Sequence, residues 1–214
     1  MTNPARPRRL ATLAFQAAAP PSWHGFPGDI AFSPDGRTLA STISHNQVGL
    51  WNVATATRPA RIATLGGHTG PVAAFAFSPS GRLLADIGYD GRVAVFNFAS
   101  PPQPVRTGTE RTVAAPPTDS PGDYTGTSYA LAFSADGHTL TAIANAWAQG
   151  PGPPATAGQT VSRWRVTSAG AFTLIARVRD DSTPAGQLAL APSGHTLARG
   201  APPGGATVDL SNLP

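Results

Sequence analysis

Histidine and the acidic residues are the side chains of this sequence that could perform acid–base or metal chemistry. The chain has five histidines, eleven acidic residues and no cysteine. Disulfides, thiolate catalysis and cysteine-ligated zinc are therefore excluded. No pair of histidines has metal-ligand spacing, and neither a Walker-type phosphate loop nor a Gly-x-Ser-x-Gly motif occurs. The sequence predicts no catalytic residue, no metal site and no cofactor.

One histidine and one acidic pair are the remaining candidates for catalysis or metal binding. His68 could act in catalysis or bind a metal, and the competing interpretation is a buried histidine that only holds structure. Asp180 and Asp181 form the one adjacent acidic pair. Neighbours on a strand point to opposite faces, so the pair could share a site only in a loop. A solvated loop is the favoured interpretation of this pair.

A six-residue phrase is the strongest pattern in the chain, and it indicates which elements must position these residues. Its four copies are Ala31–Gly36, Ala76–Gly81, Ala132–Gly137 and Ala189–Gly194. From one closing glycine to the next, the steps are 45, 56 and 57 residues. The first step fits the ~40–45-residue period of propeller repeats, and the longer steps require insertions.

The phrase has a direct structural interpretation. An apolar residue ends a strand, and the following Ser-Pro-Asp-Gly forms a tight turn. Proline presets φ, aspartate bonds its own backbone, and glycine accepts a positive φ. Turn chemistry therefore already explains Asp35, Asp90 and Asp136. A second strand follows each turn.

A third strand completes the pattern and ends in an aromatic residue in three of the four copies. These strands are Val48–Asn52 with Trp51, Val93–Asn97 with Phe96, and Val161–Arg165 with Trp164. The fourth copy, Val208–Asn212, lacks the aromatic residue. Residues 3–13 resemble the linker at 55–65, which indicates an outer strand in both places.

These strands predict an all-β fold, a β-propeller-type array of about four four-stranded antiparallel blades. One such sheet is too small to be stable alone, so neighbouring blades must stack. We expect a single domain over residues 1–214. Its repeats lie at approximately 15–65, 66–108, 126–179 and 185–214, with the last outer strand supplied by residues 1–14. That strand could close the ring; an open or partial propeller that dimerises is slightly favoured.

Two segments interrupt the period. Residues 109–125 and 146–159 are rich in Pro, Gly, Thr and Ala, which predicts surface loops. They are either simple insertions or loops that contact a partner.

On these motifs the chain resembles the WD40 repeat family, in particular diverged and truncated arrays of bacterial, actinomycete-like type. The second repeat carries the resemblance best, with Gly67-His68, Ala76–Pro79, Asp90-Gly91 and Val93–Asn97. All fifteen basic residues are arginine, which fits a high-GC bacterial genome. In the bacterial branch, such arrays accompany signalling ATPase or kinase modules.

The resemblance also implies a structural network. In the family, a histidine, a hydroxyl, an aspartate and the tryptophan of the third strand are joined by hydrogen bonds. The second repeat supplies His68 and Asp90, but Gly88 stands at the hydroxyl position and Phe96 at the tryptophan position. Trp51 and Trp164 match the tryptophan in the first and third repeats, where sheet packing is favoured over ligand stacking.

The function implied by the resemblance is a non-catalytic, cytoplasmic scaffold for protein–protein interaction, related to the sensor or scaffold region of bacterial signalling proteins. Trp23 and Trp147 lie outside the strand pattern and are candidate partner contacts. The arginines are scattered, so nucleic acid is not expected as a partner. No apolar stretch approaches the ~20 residues that a membrane helix needs, so a membrane is not expected either. Two alternatives remain open. One is a propeller enzyme of the lactonase or lyase kind with a central-channel site, and the other is a degenerate fragment that assembles with a second chain into a larger ring.

Overall fold

The computed structural model describes residues 9–13, 29–44, 46–98, 104–111, 124–149, 155–180, 188–191, 196–200 and 208–212. Fifteen β-strands account for most of these residues. Within the same ranges, no helix has the length and apolar character needed to cross a membrane.

The strands fall into four sheets in chain order, which we call blades 1 to 4. Blade 1 contains β1 (Ile30–Phe32), β2 (Thr38–Ser44), β3 (Gln47–Asn52) and β4 (Ala60–Leu65). Blade 2 contains β5 (Val72–Phe77), β6 (Leu83–Gly88), β7 (Arg92–Asn97) and β8 (Val105–Arg111). Blade 3 contains β9 (Tyr124–Phe133), β10 (Thr139–Gln149), β11 (Ala155–Val166) and β12 (Phe172–Asp180). Blade 4 contains β13 (Leu188–Leu190), β14 (Thr196–Gly200) and β15 (Val208–Asn212).

Each blade is an antiparallel meander in which every strand pairs with the next one along the chain. Blades 1 to 3 have four strands, and the described part of blade 4 has three. This confirms the predicted all-β array of antiparallel blades. The third strand predicted for the fourth repeat, Val208–Asn212, coincides with β15.

The hydrophobic core lies between the blades rather than within any one of them. The first strands β1, β5, β9 and β13 contact one another in sequence, so they form the inner edge of the stack. Blade 1 and blade 2 share a cluster that includes Val48, Leu50, Phe75 and Phe96. Blades 2 and 3 share a second cluster around Trp164. Blades 3 and 4 share a small third one around Leu197. Among the described residues, no contact of comparable extent joins β1 to β13, so the array is open.

The recurring turn is built as its residues predict. Gly36 N donates to Ser33 O at 2.8 Å, and Gly36 has a φ of +69°. Asp35 Oδ1 accepts a hydrogen bond from Arg37 N at 3.0 Å. The serine side chain adds a further hydrogen bond. Ser33 Oγ accepts from Thr38 N at 2.9 Å and so joins the two strands across the turn, a contact that we call the serine clamp. The turns after Phe77 and Phe133 repeat the serine bond.

The aromatic residue that ends a third strand is buried over a small residue two positions earlier. A Cβ added at Gly49 would lie 2.5 Å from the ring of Trp51 and 2.6 Å from Ile43 Cγ2. Ala94 precedes Phe96 in the same way, and Ser162 precedes Trp164. Because residues i and i+2 share a face of a strand, the small residue leaves room for the ring.

The prediction of a surface loop over residues 146–159 is wrong at both ends. Residues 146–149 extend β10 and residues 155–159 begin β11, with Trp147 paired to Thr156. Small residues alternate with larger or polar ones here, which suits a strand, and the prolines fall in the stretch 150–154 between the two strands. Residues 109–111 and 124–125 likewise belong to β8 and β9, while the middle of the predicted loop at 109–125 lies outside the described residues.

The outer strand expected from residues 1–14 stays a prediction. Residues 9–13 belong to none of the described strands, and the rest of that segment lies outside the described residues. The repeat boundaries beyond the strand bounds given above also stay predictions.

Candidate functional site

His68 lies in the link between the outer strand β4 and the inner strand β5 of the next blade. Gly67 before it has a φ of +123°, a left-handed conformation that glycine adopts without strain. The backbone oxygen of His68 accepts a hydrogen bond from Asn46 Nδ2 at 3.1 Å, which ties the link to the β2–β3 turn of blade 1. The imidazole of His68 is buried against blade 2.

Two carboxylates flank the imidazole. His68 Nδ1 is 3.0 Å from Asp90 Oδ1, and His68 Nε2 is 2.9 Å from Asp86 Oδ1. Asp86 lies in β6 and is only 1 % exposed. Asp90, in the β6–β7 turn, also accepts hydrogen bonds from Thr69 N at 2.9 Å and Arg92 N at 3.1 Å. We call His68, Asp86 and Asp90 the histidine clamp.

Gly88 provides the space in which the imidazole lies. A Cβ added there would lie 2.5 Å from His68 Nδ1 and 2.8 Å from Asp90 Oδ1. This is the position at which the sequence resemblance expects a hydroxyl. Asp86, two residues earlier on the same face of β6, instead supplies the second acceptor for His68.

Asp86 is the member of the clamp that sequence reasoning missed. The available signal was a carboxylate at the centre of an apolar strand, Leu84-Ala-Asp-Ile87. Ser41 and Ala142 occupy the corresponding positions of β2 and β10. A carboxylate buried to this degree requires a partner.

The three groups shift one another's titration. Burial alone would lower the pKa of His68, but the hydrogen bonds and negative charges of Asp86 and Asp90 outweigh it and leave that pKa above its ordinary value of 6.5. Burial raises the pKa of Asp86 above 3.8, against the opposing influence of His68. Burial also acts to raise the pKa of Asp90, but hydrogen bonds from Thr69 N and His68 outweigh it, so this pKa is lowered.

This arrangement suits a structural role better than a chemical one. Both imidazole nitrogens are engaged with protein atoms, and the side chains of His68, Asp86 and Asp90 are 3 %, 2 % and 7 % exposed. A general base needs an open approach to its substrate, and here none of the three groups has one. In the part of the chain that the structure describes, no group of three or more His, Asp or Glu residues is placed to hold a metal ion.

The structure does not bring the other two residues of the predicted network to the clamp. Trp51 and Trp164 are buried in blades 1 and 3, each in its own third strand. Phe172 packs edge-on against Trp164, with ring centroids 6.1 Å apart. Trp164 Nε1 is buried without a hydrogen-bond partner. Trp164 therefore packs in the cluster between blades 2 and 3, whereas the ring of Trp51 packs over Gly49 of its own blade.

The two candidate partner contacts have different outcomes. Trp147 does not lie in a loop, as its sequence context predicted, but within β10, and its side chain lies outside the described part of the structure. Trp23 lies outside the described residues altogether. Of the acidic pair, Asp180 is the last residue of β12, and Asp181 also falls outside the described ranges.

Comparison with protein families supports the assignment of the repeats. Residues 23–52 and 60–97 match the family described as WD domain, G-beta repeat. The second match contains the whole histidine clamp. No curated protein sequence matches the chain.

Solved structures of β-propellers resemble the fold. The periplasmic gluconolactonase PpgL of Pseudomonas aeruginosa matches 79 % of this chain and 45 % of its own length, with a TM-score of 0.55 and 20 % identity. A candidate 6-phosphogluconolactonase of Bacteroides uniformis matches 88 % and 52 %, with a TM-score of 0.60 and 17 % identity. The β-propeller domain of Cps50 (Swd1) from Myceliophteria thermophila matches 79 % and 48 %, with a TM-score of 0.52 and 15 % identity. The chain thus spans about half the length of the propellers it matches, and the likeness shows the fold alone.

Proposed function

We propose that this WD40-repeat chain is a β-propeller scaffold that binds other proteins and catalyses no reaction. The observation that carries the proposal is the engagement of the histidine clamp. The residues best suited to acid–base chemistry among those described are buried and occupied by one another. These residues join the β4–β5 link to blade 2. The blade surfaces and the connecting loops then remain as the places where a partner could bind.

The expected partner is a protein. Propeller blades hold their loops rigidly, so a partner can dock without ordering a flexible surface. The chain is strongly basic, with a sequence pI of about 10.6 and a formal charge of +4, so an acidic partner surface would be complementary. A cytoplasmic setting beside bacterial signalling modules belongs to the same proposal, and it rests on the sequence resemblance.

A sugar-lactone hydrolase is the second candidate function, favoured by the fold likeness to PpgL. Such an enzyme would need polar groups lining the axis of the propeller. The inner strands β1 and β5 read Ile-Ala-Phe and Val-Ala-Ala-Phe-Ala-Phe and carry no acid or histidine. Asp29, just before β1, accepts a hydrogen bond from Phe75 N at 3.1 Å, so it bridges blades 1 and 2. These features support the scaffold over the hydrolase.

Affinity capture from a lysate of the source organism tests the proposal. The control bait is an unrelated propeller of similarly basic pI. It is needed because any basic protein retains acidic proteins without specificity. We expect one protein to be enriched on this chain alone, to resist moderate salt, and to bind the purified chain saturably. Hydrolysis of gluconolactone by the purified chain, together with no such partner, would overturn the proposal in favour of the enzyme.

A further inference from the structure

The β4–β5 link, residues 66–71, runs from the outer strand of blade 1 to the inner strand of blade 2. It begins with two glycines, and Gly67 has a φ of +123°. Glycine has no Cβ, so two successive glycines leave the backbone free to rotate about several bonds. The beginning of the link therefore has the conformational freedom that a hinge requires.

The end of the link is fixed to blade 2 by bonds that do not involve the imidazole. Thr69 N donates to Asp90 Oδ2 at 2.9 Å. Pro71 O accepts a hydrogen bond from Tyr89 N at 2.8 Å. These bonds leave residues 66–68 as the part of the link that can move while the neighbouring strands keep their pairing.

Three contacts hold His68, the last residue of this movable part. Its ring nitrogens lie 3.0 Å from Asp90 Oδ1 and 2.9 Å from Asp86 Oδ1. Its backbone oxygen accepts a hydrogen bond at 3.1 Å from Asn46 Nδ2, which belongs to blade 1. Asp86 and Asp90 are also the charged groups that act on the titration of the imidazole. The position of the movable part thus depends on the charge of one ring.

Loss of the imidazole proton turns one of the two ring contacts from attractive to repulsive. An imidazolium donates a hydrogen bond from each nitrogen, whereas a neutral imidazole donates from one nitrogen and carries a lone pair on the other. That lone pair would face a carboxylate oxygen in a buried site, where water screens the repulsion poorly. Arg106 of β8, whose guanidinium lies against Gly67, stays charged and does not take part in this change.

We propose that the β4–β5 link is a pH-sensitive switch, closed while the imidazole of His68 carries its proton and open once that proton is lost. Opening would turn His68 about the two glycines into solvent, while the bond between Thr69 and Asp90 keeps the end of the link in place. The hydrogen bond from Asn46 to the backbone of His68 would be lost too. One tie between blades 1 and 2 would therefore depend on pH, whatever the chain binds.

The direction of the switch follows from the charges around the ring. Burial alone would lower the pKa of His68, but Asp86 and Asp90 outweigh it and raise that pKa above 6.5. A solvated imidazole titrates at about pH 6.5, so the closed form binds the proton more tightly than the open form. The proton therefore favours the closed form fully below pH 6.5, and this preference is lost as the pH rises through the pKa of the closed form.

Hydrogen exchange at the C2 position of each imidazole, followed by mass spectrometry of the full chain in heavy water, tests the switch. The rate of this exchange rises with pH, levels off above the pKa of the ring, and is slow for a ring that water does not reach. His138 is exposed and serves as the internal reference. Above the transition, we expect His68 to exchange within about tenfold of the His138 rate, with an unchanged circular dichroism spectrum because the opening is local.

Asn46→Ala is the variant that separates the switch from simple burial of the ring. It removes the tie to blade 1 and leaves the charges of the clamp unchanged, so opening becomes easier. The loss of one ordinary hydrogen bond should move the transition to lower pH by about half a unit to one unit. Asn52→Ala, which loses a hydrogen bond within blade 1 at the other end of β3, is the matched control and should leave the transition unchanged.

Exchange at His68 that stays more than about tenfold below that of His138 up to about pH 9, below the titration of tyrosine, would overturn the proposal. So would a loss of the circular dichroism signal in step with the exchange, which indicates global unfolding. A transition that Asn46→Ala leaves in place would show that the link does not part from blade 1, and the proposal would fail as well.

Discussion

At the scale of single residues, the imidazole of His68 is held from both sides. A neutral imidazole can donate from only one nitrogen, so the other nitrogen would face a carboxylate oxygen as lone pair against lone pair. An imidazolium donates to Asp86 and Asp90 at once, which agrees with the raised pKa of His68 and the lowered pKa of Asp90. We infer that the imidazole of His68 is protonated in the clamp and faces the ionised Asp90, while burial makes Asp86 the carboxyl group of the clamp that ionises less readily.

The clamp makes stability depend on pH. The pKa of folded His68 lies above 6.5, so its contribution is complete below pH 6.5 and is lost as the pH rises through the folded value. The pKa of Asp90 lies below 3.8, so its contribution is present above pH 3.8 and is lost as the pH falls through the folded value. The raised pKa of Asp86 adds to the loss on raising the pH.

We therefore predict that the free energy of unfolding falls as the pH rises above 6.5. Urea unfolding at a series of pH values should show this slope in the wild type and a flatter one in His68→Gln. His138→Gln, at an exposed histidine, is the control and should follow the wild type. Equal slopes for wild type and His68→Gln would contradict a charged clamp.

Gly88 is predicted to be intolerant of even one methyl group. Its backbone is ordinary strand, so the penalty for Gly88→Ala would be steric: the new Cβ would lie 2.5 Å from His68 Nδ1. We expect a loss of about 1–3 kcal/mol of unfolding free energy, typical of overpacked sites. Gly66→Ala is the control, because its Cβ would meet only Gln47 Cγ at 3.9 Å. Equal stability of the two variants would show that the imidazole can move aside.

The sequence could predict two of the three residues of this clamp. His68 and Asp90 stand at positions that the family pattern identifies, whereas the position of Asp86 is not one of them. The pattern also expected a hydroxyl at position 88. From the sequence alone, Gly88 only removes a hydrogen-bonding group. In the structure, its missing side chain leaves the space in which the His68 imidazole reaches Asp86. Such a compensating pair is visible only once β6 is folded beside the β4–β5 link.

At the scale of elements, the recurring turns show how short sequence determines local structure. The roles of proline and glycine, and the hydrogen bond from Arg37 N to the side chain of Asp35, were all predictable from residue type. The hydrogen bond from Thr38 N to Ser33 Oγ across the turn was not predictable. It joins the ends of two strands whose pairing the sequence does not reveal. The extension of β10 and β11 was missed for a related reason. The composition of residues 146–159 is typical of a loop, but the two segments pair with each other as a hairpin and therefore stay extended.

Ser78→Ala tests the serine clamp. Ser78 is buried and its Oγ accepts from Leu83 N at 3.0 Å, so the substitution leaves a buried backbone donor without a partner. We expect a loss of about 1–3 kcal/mol in chemical unfolding. The exposed Ser168→Ala, in a different turn, should change stability by less than about 0.5 kcal/mol. A Ser78 variant as stable as the Ser168 variant would show that the turn holds without its serine.

Small residues beneath the aromatic rings form a second rule at this scale. Gly49→Val would drive two methyl groups toward the ring of Trp51, whose nearest atom is already 2.5 Å from an added Cβ. We predict a clear fall in the unfolding midpoint, with a change in the tryptophan fluorescence of the folded chain, to which Trp51 contributes. Exposed Ala54→Val, just beyond the same strand, is the comparison and should leave both signals unchanged. A normal midpoint for Gly49→Val would contradict the packing rule.

At the scale of the whole molecule, stability comes from stacking. Each blade is a small sheet, and the buried clusters lie between neighbours. Hydrogen bonds add to them: Thr107 Oγ1 donates to Gly170 O at 2.7 Å, and Asn97 Nδ2 donates to Ala169 O at 2.8 Å, both from blade 2 to blade 3. In the described part of the chain, neighbouring blades are thus held together by buried apolar clusters and by hydrogen bonds from side chains to backbone.

Thermal unfolding of His68→Asn beside the wild type at pH 6.5, with gluconolactone hydrolysis followed on the same samples, tests this claim most directly. Removing one member of a buried charged cluster costs about 3–5 kcal/mol. At about 2–4 °C per kcal/mol for a chain of this size, the midpoint should fall by roughly 10 °C. We expect that fall, with no lactone turnover in either protein. An unchanged or higher midpoint, with turnover present in the wild type and lost in the variant, would contradict a structural role of the clamp.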